Sequence, residues 1–288
     1  MTAEGFGIDF LAVGPQRTGT SWLDHMLRRH PAVCLPRQVK ETMFFEQHHD
    51  KGVSWYASHF PGAAPGQVRG EVAPTCFDHP ESVERIAALS PACRIIATLR
   101  EPVGRTVSLW HHHVAKGRAP RDFRRAVREM PRIVDSGRYA THLPRWLERF
   151  GAERVLVLLI DDIGERPQEV LDRVTAFLGV EPARMDGGEE PVGAATMPRH
   201  PRLAAVAART AVALRARRMH WIPELGKKLG LRRVFTGAEH AMPRMSPQDA
   251  AWLADEFAPD VAFVERLLGR PLPAWHAAAH APARPARA

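Results

Sequence analysis

A chain of 288 residues, 45% apolar and 25% charged, holds enough apolar material for a folded core and matches a globular protein, not a disordered one. Its formal charge of +8 favours anionic partners without naming one, and nucleic acid is not expected among them. Cys34, Cys76 and Cys93 are odd in number and lack CxxC spacing, which argues against a disulfide framework and a cysteine zinc site. There is no run of eighteen apolar residues to span a membrane, and the opening stretch "MTAEGFGIDF" has no basic region of a secretory signal, so a cytoplasmic location is expected.

In chain order, "FLAV" (Phe10 to Val13) reads as a short buried strand. A glycine-containing turn follows it, and then a helix carrying Trp22, Leu23, Met26 and Leu27 on one face until Pro31. The same grammar recurs in "RIIATL" (Arg94 to Leu99), with Val103, Val107, Trp110 and Val114 at helical spacing after it. It recurs again in "RVLVLLI" (Arg154 to Ile160), followed by a helix that starts near Pro167, carries Val170, Leu171, Val174, Phe177 and Leu178, and stops at Gly179. Strands that are apolar throughout and alternate with helices predict a three-layer α/β fold. Its central parallel sheet is flanked by helices, and ligands bind at the carboxyl ends of the strands.

Residues 191–245 are less regular, with a helix candidate from Arg202 to Arg218 and basic groups at Lys227, Lys228, Arg232 and Arg233. Ser246, Pro247 and Asp249 form a helix start, and Pro259 is expected to bend or break that helix. The segment "HAAAHAPARPARA" (276–288) is low in complexity and expected to be disordered, leaving one domain over residues 1–275.

The loop "GPQRTGTSW" lies between a strand and a helix, where backbone N–H groups and the helix dipole converge on one point. A nucleotide triphosphate loop of this kind carries a lysine directly after its second glycine, but here Thr20 and Ser21 follow Gly19 and the only nearby cation is Arg17. The segment reads either as an anion site or as a plain turn capped by hydroxyls. In "LREPVGRTVSLW", Arg100 ends a strand and Ser108 lies two helical turns on, a pair suited to a second phosphate unless Arg100 simply pairs with Glu101.

Taken together these segments resemble the sulfotransferases that use 3′-phosphoadenosine 5′-phosphosulfate (PAPS), and within them the branch containing heparan-sulfate sulfotransferases. "GPQRTGTSWL" is similar to that family's 5′-phosphosulfate loop and "LREPVGRTVSLW" to its 3′-phosphate site. "ETMFF" (Glu41 to Phe45), "KGVSWY" (Lys51 to Tyr56), "FLGV" and "LLGRPLPAW" (Leu267 to Trp275) follow in the family's order, so the likeness covers about residues 8–275. The resemblance implies a P-loop-like fold and PAPS as donor with no metal required. The acceptor would be a hydroxyl or amine of a small molecule or saccharide. It assigns Pro15, Gln16, Arg17, Thr18, Gly19, Thr20, Ser21 and Trp22 to the 5′ side of the donor, Arg100 and Ser108 to the 3′-phosphate, Glu41 to the general base and Arg17 to the departing phosphate.

The chain departs from the family pattern in three places. Arg17 replaces the usual lysine, Val72 replaces a lysine in "GEVAPTCF", and Glu101 stands where aspartate is usual. Lys40 is a candidate substitute cation, although the residues alone favour a helix-surface lysine. Glu71 is a candidate for orienting the acceptor, and His59 for touching it. Trp55 and Tyr56 suit either an acceptor ring or the core. His48, His49 and His111 to His113 are consecutive, point about 100° apart on a helix and cannot share a metal ion. Two other functions compete. One is a P-loop kinase using Asp161 and Asp162 for magnesium; the other is a non-catalytic polyanion binder relying on surface charge.

Overall fold

The computed structural model describes residues 5–60, 62–184 and 242–277. Its strands are β1 (Phe10–Ala12), β2 (Val33–Cys34), β3 (Val68–Val72), β4 (Arg94–Leu99) and β5 (Val155–Leu159). They pair in parallel throughout, in the order β2-β3-β1-β4-β5. The helices of the first half are α1 (Thr20–Arg29), α2 (Gly52–Ala57), α3 (Pro80–Leu89) and α4 (Pro102–Ala115). Those that follow are α5 (Phe123–Glu129), α6 (Arg132–Asp135), α7 (Tyr139–Phe150), α8 (Ile160–Glu165), α9 (Pro167–Leu178), α10 (Pro247–Leu268) and α11 (Pro273–Ala277).

Alternation along the strands builds two apolar layers, as a sheet covered on both faces requires. Phe10 and Ala12 of β1, Val72 of β3, Ile96 of β4 and Leu158 of β5 pack with Leu23 and Leu27 of α1 and Val170, Val174 and Leu178 of α9. Leu11 and Val13, with Ile95, Ala97 and Leu99, point the other way, towards Ile86 of α3, Leu143 and Trp146 of α7 and Val264 of α10. Each fully buried side chain of this size contributes about 1.5–3 kcal/mol. The three-layer α/β fold with a central parallel sheet is therefore present, and the strands read from "FLAV" and "RVLVLLI" are each slightly shorter than expected.

One expectation about the C-terminal part is corrected. α10 is not broken by Pro259: it runs 22 residues through it. The stripe Leu253, Phe257, Val261 and Val264 stays buried on both sides of the proline. Its start is as read, with the Ser246 hydroxyl accepting the Asp249 N–H at 3.0 Å. At the C-terminal end of the described residues, α11 extends to Ala277 and includes His276. The helix candidate at 202–218, the basic groups at 227–233 and the rest of the 276–288 segment lie outside the described residues.

Candidate active site

β1 is the middle strand, so the turn leaving its carboxyl end emerges between β3 and β4. The turn begins tight against β4. A side-chain carbon on Gly14 would overlap the backbone and hydroxyl of Thr98, so this glycine serves strand packing instead of ligand approach. The Thr18 hydroxyl donates to Pro15 O at 2.6 Å and lies 2.8 Å from Thr98 Oγ1. Thr18 is 0% exposed. Its hydroxyl therefore closes the turn from inside. Gly19, at φ 95°, caps α1, and Trp22 and Leu23 donate the first helical hydrogen bonds back to its carbonyl. The N–H groups of Thr20 and Ser21 precede these bonds and are placed to meet an anion.

Arg17 stands in this turn with φ 77°, a left-handed backbone that few side-chain-bearing residues adopt. Its guanidinium Nε donates to Ser108 Oγ on α4 at 3.0 Å, so the two segments assigned separately to the 5′ and 3′ ends of the donor touch each other. Burial, and then the neighbouring charge of Arg100, push the Arg17 pKa down. Arg100 itself is not spent on Glu101. That carboxylate caps α4 by accepting the N–H groups of Val103 and Gly104. Tyr139 fixes the Arg100 backbone, donating its hydroxyl to the carbonyl at 2.7 Å. Two arginines close enough to raise each other's energy favour an anionic occupant.

The segment carrying Glu41 has no helix or strand from 37 to 48, so Lys40 is not a helix-surface residue. Its ammonium reaches across to Ser21 Oγ at 3.4 Å and Thr20 Oγ1 at 3.5 Å, and lies 3.8 Å from Glu41 Oε1. Glu41 thus stands at the N-terminus of α1 with a cation beside it. Burial raises its pKa, Lys40 and Lys116 pull it back, and Glu46 and Asp24 add to the rise. A carboxylate with a raised pKa at the mouth of an anion site has the reactivity of a general base.

Glu71 lies in the interior. It is 0% exposed on β3, where it accepts the Thr42 N–H at 2.5 Å, the Thr42 hydroxyl at 3.0 Å and the Tyr56 hydroxyl at 2.9 Å. Tyr56 is core, stacked on Phe44 at 4.6 Å between ring centres. His59 packs edge-on against the half-buried Trp55, beside His48 and Lys51. His111 bonds the Pro243 carbonyl. Burial, with Lys116 and Arg17 next, pushes His112 down to about 3. Among the described residues no three His, Cys, Asp or Glu side chains gather as a metal would need. Asp161 accepts Trp275 Nε1 at 2.8 Å, and Asp162 pairs with Arg166 and Arg270. Both acids anchor the C-terminal segment to the end of β5.

Sequence reasoning missed Thr42, Tyr139 and Lys116 as parts of this site. The detectable signal was Glu71 itself, since an acid in the middle of a buried strand demands donors from somewhere.

A central parallel sheet with an anion-binding turn after its middle strand and a second arginine–hydroxyl pair after the next defines a P-loop-like group-transfer fold. Residues 8–192 match the family model described as "Sulfotransferase domain", more than half of the chain, and the chain belongs to that family. It is 30% identical over 188 residues to bifunctional heparan sulfate N-deacetylase/N-sulfotransferase 1 of Caenorhabditis elegans, covering 59% of this chain and 22% of that protein. It is 31% identical over 194 residues to bifunctional heparan sulfate N-deacetylase/N-sulfotransferase 2 of Homo sapiens, covering 60% and 22%. The match thus spans about a fifth of these curated relatives. In fold the chain is similar to a sulfotransferase from Alicyclobacillus acidocaldarius, with a TM-score of 0.66 at 24% identity over 94% of this chain and 99% of the other.

Proposed function

We propose that this sulfotransferase moves the sulfuryl group of PAPS to a hydroxyl or amine of a small-molecule or saccharide acceptor. Glu41 acts as general base and Arg17 stabilises the departing phosphate. The observation that carries the reading is the 3.0 Å hydrogen bond from Arg17 to Ser108, which makes one cationic pocket of the turn after β1 and the start of α4. The names of the relatives, which pair heparan sulfate with N-sulfotransferase, favour a saccharide amine among the possible acceptors.

In the proposed step the acceptor oxygen or nitrogen attacks sulfur and its proton passes to the Glu41 carboxylate. The bond from sulfur to the bridging oxygen breaks, and its electron pair leaves with 3′-phosphoadenosine 5′-phosphate. Charge growing on that phosphate is met by Arg17, by Lys40 across the first turn of α1 and by the helix N–H groups. Arg17 serves as a fixed positive charge and not as a proton donor, because a guanidinium holds its proton. Arg100 and Ser108 take the 3′-phosphate. With side chains and backbone supplying the positive charge, the reaction is expected to proceed in EDTA.

Calorimetry with 3′-phosphoadenosine 5′-phosphate tests the donor assignment. The wild type should bind it and the Arg100→Ala, Ser108→Ala double variant should bind far more weakly; equal affinities would remove PAPS from the reading. Mass spectrometry of saccharide and small-molecule acceptors after incubation with labelled PAPS identifies the product.

A further inference from the structure

We infer that Glu71 is a positioning residue. Its buried carboxylate fixes the backbone of Thr42, and through it the place of Glu41, and so controls the rate of sulfuryl transfer without touching donor or acceptor. The inference rests on Glu41 being the base.

Glu41 belongs to a stretch with neither helix nor strand, so no ladder of backbone hydrogen bonds sets its position. The flanks of the stretch are tied elsewhere, with Arg28 on the carbonyls of Pro36 and Val39 and Arg85 on that of Phe45. Next to Glu41 the tie is Glu71. One carboxylate oxygen takes the Thr42 N–H and the other takes the hydroxyls of Thr42 and Tyr56. The Thr42 hydroxyl accepts the Phe44 N–H at 3.2 Å, which turns its own proton towards Glu71. Immediately beyond, Met43 takes φ 57°, so the chain reverses where the carboxylate holds it. Because β3 pairs directly with β1, the anchor and the donor turn share one rigid frame.

Only the ionised carboxylate accepts all three donors; a protonated one must place its own hydrogen among them and gives up a contact. Burial is the main influence on its titration and raises the pKa to about 7 against the opposing hydrogen bonds from Thr42 and Tyr56, with the charge of Glu46 adding to the rise. The titratable groups packed around it are Tyr56 and Cys76, both held neutral by burial, and Glu46. The base segment therefore loosens as pH falls through neutrality, and the acid limb of the rate profile includes Glu71 as well as Glu41.

The test uses the whole chain and two readouts. The first is the Thr42 amide proton in NMR, which needs no substrate: it should shift as pH crosses about 7 in the wild type and stay still in Glu71→Gln. The second is release of labelled sulfate from PAPS with water as acceptor. Glu71→Gln should lower kcat about a hundredfold with affinity for 3′-phosphoadenosine 5′-phosphate unchanged. Tyr56→Phe keeps the stack on Phe44 and removes one hydrogen bond that holds the Glu71 pKa down, so the acid limb should move to higher pH. An unmoved limb in folded Tyr56→Phe, or donor affinity falling in step with kcat in Glu71→Gln, overturns the inference. If the wild type binds no 3′-phosphoadenosine 5′-phosphate, the donor assignment fails instead. The amide then decides the role of Glu71 alone, and a Thr42 signal indifferent to pH refutes it.

Discussion

The two segments that face each other across the candidate active site are held by opposite means. The turn after β1 is fixed by backbone: Gly14 lies against Thr98, Thr18 is buried beneath the turn, and Gly19 starts a ten-residue helix. The segment with Glu41 is fixed by side chains, above all a carboxylate reaching up from β3. Binding a donor of fixed shape suits the first construction. Bringing a base to different acceptors suits the second, because side-chain ties cost less to adjust than a strand and a helix.

The largest effect that sharpens this contrast should come from Glu41→Gln. It removes the base but leaves the turn intact, so turnover should fall about 10²–10⁴-fold while calorimetry with 3′-phosphoadenosine 5′-phosphate stays as in the wild type. Retained turnover would take Glu41 out of the mechanism. Next, the Arg100→Ala, Ser108→Ala double variant attacks the donor side and should weaken binding of the same nucleotide by about a hundredfold or more, at roughly 1.5–3 kcal/mol for each of the two hydrogen bonds to a charged group. Gly14→Ala should disturb the rigid side through packing. The added carbon meets backbone that cannot retreat, so thermal unfolding should show a loss of about 1–3 kcal/mol, whereas the same change at the exposed Gly164 has open space around it.

The smallest effect is a pH dependence. The pKa of Glu71 is raised from 4.5 to about 7 by burial, so the folded protein holds this proton more tightly than the unfolded chain does. The stability linked to it is complete below about pH 4.5 and is lost as pH rises towards 7. Melting of Glu71→Gln should lack that component, and identical pH dependence in both proteins would contradict the buried, proton-sensitive anchor. Activity and stability thus pull Glu71 towards opposite protonation states.

The three long apolar runs disclosed the sheet because strands buried on both faces must be apolar throughout. β3 escaped notice since "VRGEV" spends its interior on special tasks: Gly70 makes room for the ring of Phe10, and Glu71 is the anchor. Arg17 and Ser108, read as neighbours of two strand ends, do meet in space, because a parallel sheet brings the carboxyl ends of β1 and β4 together. The role of Glu71 was not legible, because it depends on Thr42 and Tyr56, which lie 29 and 15 residues away. Lys40 was misplaced on a helix for a similar reason: its partners Thr20 and Ser21 belong to another element. Local pattern identifies what a residue contributes to its own element, whereas long-range hydrogen bonds are set by the sheet order.

The bond between Arg17 and Ser108 joins residues 91 apart and makes the two halves of the donor pocket thermodynamically coupled. Ordering either half orders the other, so the entropy of assembling the pocket is shared and not counted twice. A donor that lacks its 3′-phosphate then forfeits more than the contacts that phosphate makes, because the far half no longer arrives prearranged. On the proposed reading, discrimination between PAPS and adenosine 5′-phosphosulfate should be larger than the sum of its parts, and a double-mutant cycle between Arg17 and Ser108 measures the excess.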